Sequence, residues 1–381
     1  MATLEAVNVS DAYPEHGLKA YSVVFGAWLA LFPASGLLNS TGIFQAYLAR
    51  NQLSEYSESE IGWIFSVFAF LFFFGGLQVA YYQFLLAFGG LGGVSSSILW
   101  TSSIATLGHW FHRKQGLATG LATTAGGFGG VVYPLAFNQL SKRLQFPWVL
   151  RCFALLSAGC LLLSLLFLKT RLPRNKHAKA MFDWRGFKDV RFTLTMSAIF
   201  ILDWAVLVPP AYITTYAFFH GFSNVSPHIL AITNAASIFG RCLPGPIADR
   251  VGRFNVMIVC SALCSVSILG LWLNSSRSVA AMTSFAVLYG LFSGSAYSLT
   301  PVCVAQLCRK EEYASKYGTA YGIVSLATLA GIPISGNILN TGSGNNYEAL
   351  ILFCGCAYLA STLLFVLARG VSQGWRLQTK F

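Results

Sequence analysis

Nothing in this chain constrains its fold as much as the length of its apolar runs. Phe254–Leu273 and Val279–Leu307 carry no charged residue, and neither alternates apolar with polar. A helix needs ~20 apolar residues to cross a bilayer, whereas a barrel strand needs ~10 that alternate. Backbone polar groups inside lipid must be satisfied within the segment itself, which selects helices. The whole chain agrees: it is 55% hydrophobic and only 10% charged, against ~25% charged in soluble domains. The expectation is an all-α polytopic membrane protein. Its 36 glycines suit helices that pack closely in lipid.

The net charge of +12 describes topology and does not call for nucleic acid as a partner. The nine cysteines lie mostly inside apolar runs and lack C-x-x-C spacing, so they read as small packing residues, with no metal site. Cys354-x-Cys356 gets the same reading. Met1–Leu18 is polar with no apolar core near its start, so no cleavable signal peptide is expected, and the first span would serve as the insertion signal.

Taken in order, residues 1–18 form a cytoplasmic tail and residues 19–168 an N-terminal helical bundle. Its segments are a span over Lys19–Ala49, a polar loop Arg50–Glu60 assigned outside, an apolar stretch Ile61–Leu107, and spans over Gly116–Leu140 and Trp148–Leu168. Residues 169–191 hold eight Lys/Arg against Asp183 and Asp189. The excess of positive charge makes this segment a cytoplasmic linker. Residues 192–368 then supply a six-helix C-terminal bundle: Phe192–His220, Pro227–Leu243, Phe254–Leu273, Val279–Leu307, Gly318–Asn340 and Glu348–Ala368. Residues 369–381 are a cytoplasmic tail. The halves echo one another, with R113-K-Q-G116-x-x-x-G120 opening one span and S315-K-Y-G318-x-x-x-G322 another, as in transporters built from parallel repeats.

Between two spans of the second half lies G240-R-C-L-P-G-P-I-A-D-R-V-G-R253. Three arginines (Arg241, Arg250, Arg253) put this turn on the cytoplasmic side. Asp249 can pair with an arginine or cap the helix that follows. The pattern Gly245-x-x-Ala-Asp249-Arg250-x-Gly252-Arg253 resembles the cytoplasmic signature loop of the major facilitator superfamily. The resemblance implies two helical bundles working by alternating access, with the carboxylate locking the inward gate.

The turn W110-F111-H-R113-K114, followed by L117-A-x-G120, resembles the helix-five signature of the monocarboxylate porter family. Phe111, Arg113, Lys114 and Gly120 are the matching positions. P14-E-H-G17 is a degraded form of that family's entry motif, and together the patterns resemble its fungal branch. Lactate carriers of that family use a lysine in helix one and an Asp/Arg pair in helix eight. Those positions fall here on Asn39, Ser237 and Arg241, so only the arginine is kept. The resemblance therefore implies Arg241 as an anion-binding group, a gate-loop residue, or both. The residues alone also allow Arg241 to pair with carboxylates at the cytoplasmic end.

Asp203 lies mid-span. Acids in bilayers are costly and usually face a cavity, so it is a candidate for a coupled proton or for a paired structural acid. Pro209-Pro210 break the same span and would free backbone groups for ligand contact. Tyr212, Asn234 and Tyr297 are candidate cavity residues.

A loop-charge count raises one conflict. Residues 61–107 must cross an odd number of times to join an acidic outer loop to a basic inner turn, yet their length suits two spans. The resemblance implies three helices here. About eleven transmembrane helices are visible against the expected twelve, and about 45–50 residues, helix three and the first-half signature loop among them, are expected to be absent, most simply between Val79 and Tyr81.

The resulting expectation is a secondary active transporter of a small organic anion, a monocarboxylate-like metabolite or a secondary metabolite. Efflux is among its modes and a proton is a candidate co-substrate. No cofactor and no enzymatic site are expected, and the plasma membrane is preferred over the vacuole or another organelle. The alternative is a truncated, non-transporting family member or a membrane sensor.

Overall fold

In a computed structural model of the chain, the described residues are 17–50, 64–65, 92–111, 114–169, 184–308, 310–341 and 346–373. The first half contains α1 (Leu18–Asn39), α2 (Thr41–Arg50), α3 (Gly92–Trp110), α4 (Gln115–Leu140) and α5 (Phe146–Phe167). The second contains α6 (Val190–Val206), α7 (Val208–Phe219), α8 (Ser226–Cys242), α9 (Pro244–Val251), α10 (Arg253–Val266), α11 (Val279–Gln306), α12 (Lys310–Leu339) and α13 (Tyr347–Gln373). Among the described residues seven helices are long and apolar enough to cross a membrane. The polar loop Arg50–Glu60, Arg113, most of the 61–107 stretch and most of the basic linker lie outside the described residues.

The halves use the same packing plan. In the first, α1 packs against α3, α4 and α5. In the second, the α6–α7 span packs against α11, α12 and α13. The apolar window of α1 is 72% buried and that of α5 is 17% buried, so α1 lines the middle of the molecule and α5 faces lipid. Leu155, Leu162 and Leu165 stand exposed on α5, as a lipid-facing helix requires, since lipid gives apolar side chains no reason to turn inward.

The halves meet along α4 and α8, with α9 and α11 alongside. Glycine allows this contact. A Cβ on Gly127 would lie 2.7 Å from the Ile238 side chain, and one on Gly130 would meet the Asn234 amide. Gly120 faces the backbone carbonyl of Arg241, and within the second half Gly240 of α8 and Gly290 of α11 face the carbonyls of Leu291 and Thr233. Backbones this close leave no room for any larger residue.

The Pro209-Pro210 break separates α6 from α7 at Leu207. Each proline lacks the N–H that would have bonded the carbonyl four residues back, at Ala205 and Val206. The Cys354 thiol donates to the Ala205 carbonyl at 3.4 Å, and the Tyr289 hydroxyl donates to the Val206 carbonyl at 2.9 Å. The freed carbonyls are thus bonded to side chains of α13 and α11, which corrects the expectation that the break offers them to a ligand. At the start of α6, Asp189 caps the helix and pairs with Arg191 at 2.7 Å. The Arg191 hydrogen bond holds its carboxyl below the ordinary range. All nine cysteines are free, and among the described residues no cluster suits a metal.

Candidate functional site

Arg241 stands in the last turn of α8 and is only 1% exposed. Its Nη1 donates to the Thr123 carbonyl of α4 at 2.8 Å, and its guanidinium lies 4.6 Å over the ring of Tyr297 on α11. Its Nε is buried without a partner. A Cβ on Gly126 would strike the guanidinium and Ser35 of α1. The group therefore sits between the two halves, where α1, α4, α8 and α11 converge. The two ion pairs among the described residues are Asp189–Arg191 and Asp249–Arg253, so the pairing of Arg241 with a cytoplasmic-end carboxylate is not what the structure places there.

Tyr297 connects this cation to the candidate acid. Arg241 and Asp203 are both within electrostatic reach of its hydroxyl. Asp203 also acts on Tyr317, whose ring lies 4.3 Å from that of Tyr321, tilted by 31°, and whose hydroxyl accepts a hydrogen bond from Trp100 at 3.4 Å. Asp203 is half-buried, with no salt bridge among the described residues. Its neighbour Trp204 has a buried ring N–H without a partner. Through Tyr297, an arginine with no ion pair among the described residues and a half-buried acid are thus brought near one another.

Asn39 and Asn234 take a different role. The Asn39 amide donates to the Gly126 carbonyl at 2.9 Å. The Asn234 amide donates to the Asn39 carbonyl at 3.2 Å and to the Gly130 carbonyl at 3.1 Å. Gly130 is four residues before Pro134, so its carbonyl lacks the usual helical partner, and a side chain from the other half supplies one. Both asparagines stitch α1, α4 and α8 together. Tyr212 is fully buried and donates to the Ile332 carbonyl at 3.1 Å, which makes it a brace between α7 and α12.

In the signature loop Asp249 of α9 accepts from the backbone N–H groups of Gly116 at 3.3 Å and Leu117 at 3.1 Å. It therefore caps α4 of the opposite half and not the helix after it. The positive end of a helix dipole favours a carboxylate there. Arg253 approaches the same carboxylate at 3.7 Å. Gly245 faces the Gly116 backbone, and Gly252 has φ 111°, a backbone conformation that favours glycine. Arg250 is exposed. Phe111 is buried against Tyr21, Lys114 precedes α4, and Gly120 packs on α8. Thr123, Ser35 and the amides of Gly116 and Leu117 were not singled out in the sequence. The spaced glycines of α4 were the available signal.

The family model described as Major Facilitator Superfamily matches residues 59–273 and 228–380. The chain belongs to the major facilitator superfamily. It is 30% identical over 421 residues to the "Riboflavin transporter MCH5" of Saccharomyces cerevisiae, covering 96% of this chain and 81% of that one. It is 31% identical to the "Aspyridones efflux protein apdF" of Emericella nidulans, covering 88% and 75%. The fold matches the crystal structure of the human organic anion transporter MFSD10 with a TM-score of 0.69 at 14% identity, over 92% of this chain and 100% of that one. This superfamily member is an integral membrane protein and a secondary transporter.

Proposed function

We propose that the substrate is a small organic anion or a carboxylate-bearing metabolite, received at Arg241 in the middle of the bundle. The observation that carries this reading is the guanidinium itself: it is 1% exposed, has no carboxylate bonded to it among the described residues and keeps an unbonded N–H. An unpaired charge in that position is expensive. A bound anion would offset the cost. The ring of Tyr297 lies under the guanidinium, which suits a substrate with a planar apolar body. Export is one mode of such a carrier, in keeping with the name of the Emericella relative, and the plasma membrane is the proposed site.

Asp203 is the proposed proton carrier, because it is half-buried deep in a span with no ion pair among the described residues. Asp249 is the proposed lock of the cytoplasmic gate, through the cap that it forms on α4.

A specific observation favours a second reading for this chain. The alignment to the Saccharomyces relative runs over 421 positions, more than the 381 residues present. Part of that relative therefore has no counterpart here, in keeping with a lost helix three. On this reading the chain is a shortened member whose transport is weak or absent.

The test is flux in a transport-null cell, with labelled acetate, pyruvate, benzoate and riboflavin, measured in both directions across external pH. Anion-selective flux is expected, and Asp203→Asn should flatten its pH profile while leaving the protein folded. An unchanged pH profile in that variant would remove Asp203 from coupling. Flux of neutral solutes alone would remove the anion site.

A further inference from the structure

A cavity of about 380 Å³ opens on the outer surface of the second half, between the α8–α9 segment and the pair α10 and α11. Apart from Asn255 its lining is apolar. Phe239, Leu243, Ile247, Val251 and Val259 line it and are each at least half exposed. In water such a patch would be a liability. In a bilayer it is a slot facing lipid.

Its dimensions fit one leaflet. Along α10 the lining runs from Asn255 to Leu263, about 12 Å at ~1.5 Å per residue. Half of a ~30 Å hydrocarbon core is ~15 Å. The slot's two ends differ in charge. At the Phe239–Leu263 end the lining is apolar throughout. At the other end lie Val251 and Asn255, and next to Val251 is Arg250, exposed and free of ion pairs among the described residues. That end belongs to the basic loop, which faces the cytoplasmic leaflet, where anionic lipids concentrate.

We propose that this slot seats one acyl chain of an anionic phospholipid of the cytoplasmic leaflet, with its phosphate headgroup at Arg250. Acyl chain and headgroup then meet an apolar wall and a free cation at matching depths. The short helix α9 has two faces. Leu243 before it and Ile247 and Val251 on it point into the slot, while Gly245 and Asp249 meet α4. A lipid in the slot therefore packs against the back of the gate helix. The lipid site itself does not depend on the gate reading.

The test is native mass spectrometry of the full chain released from nanodiscs of equal phosphatidylcholine and phosphatidylserine. The parent should retain phosphatidylserine preferentially. Arg250→Gln, a surface change that leaves the fold intact, should lower that preference about fivefold, as expected for one cation near an anionic surface. Val259→Trp, which fills the slot, should lower retention of both lipids. Asp249→Asn should retain phosphatidylserine like the parent, which separates this site from the gate. Equal retention by the parent, Arg250→Gln and Val259→Trp would overturn the proposal. So would a sterol in the slot, or a second copy of the chain found covering this face.

Discussion

At the scale of single residues, Arg241 determines what the site can do. Its guanidinium is bonded to one carbonyl and stacked on one ring, which only partly offsets its burial. Replacing a buried ionic group with an apolar one of similar volume is often neutral or stabilising by ~1–4 kcal/mol. Arg241→Met should therefore melt no lower than the parent, yet bind and move organic anions at least about tenfold less well, a loss of ~1.4 kcal/mol or more. Arg241→Lys should not restore the parent, because an ammonium cannot both bond Thr123 and lie flat on Tyr297. A variant that loses stability and keeps binding would make the arginine structural. The sequence reached this residue through the signature loop and the glycine before it. It could not show that Tyr297 lies beneath the guanidinium, or that Asn39 and Asn234 spend their amides on carbonyls of α4, since both contacts come from helices far apart in the chain.

At the scale of elements, two devices join the halves. The first is the cap of Asp249 on α4. Loss of a helix cap costs ~1 kcal/mol, enough to shift a gate equilibrium about fivefold. In a background where the other cysteines are serine, Asp249→Ala should speed labelling of Cys242 from the cytoplasmic side, and an unchanged rate would count against the lock. The second is the glycine contact. Gly120→Ala would drive a methyl group into the Arg241 carbonyl, a clash between backbones that should cost ~1–3 kcal/mol. Gly159→Ala on α5 meets nothing within 4 Å and should be neutral or stabilising by up to ~1 kcal/mol. Thermal unfolding in detergent separates the two, and equal melting shifts would contradict the packing account. Spans were legible from apolar length, and the helix break from Pro209-Pro210. The pairing of α4 with α8 was not legible, because small-residue faces are alike and fit several partners. The break also did something other than expected, because Tyr289 and Cys354, distant in sequence, took its carbonyls.

At the scale of the whole molecule, charge outlines the plan that packing completes. In the two halves α1 and the α6–α7 span occupy equivalent places. That repeat was legible in the Gly-x-x-x-Gly openings of two spans. The conflict over residues 61–107 was legible as parity, though those residues lie mostly outside the described structure. If a helix is missing, small-residue faces in the first half lack a partner, and restoring about 50 residues between Val79 and Tyr81, roughly two loops and a ~20-residue span, should raise transport well above that of the present chain. Robust transport by the 381-residue chain would contradict this.

The central claim, an organic anion held at Arg241 between two moving halves, is tested most directly by exchange of labelled benzoate or pyruvate across proteoliposomes. The restored chain and its Arg241→Met variant would be compared at equal amounts of folded protein. The account predicts saturable exchange by the first and at least about tenfold less by the second. Equal exchange by the two would contradict it.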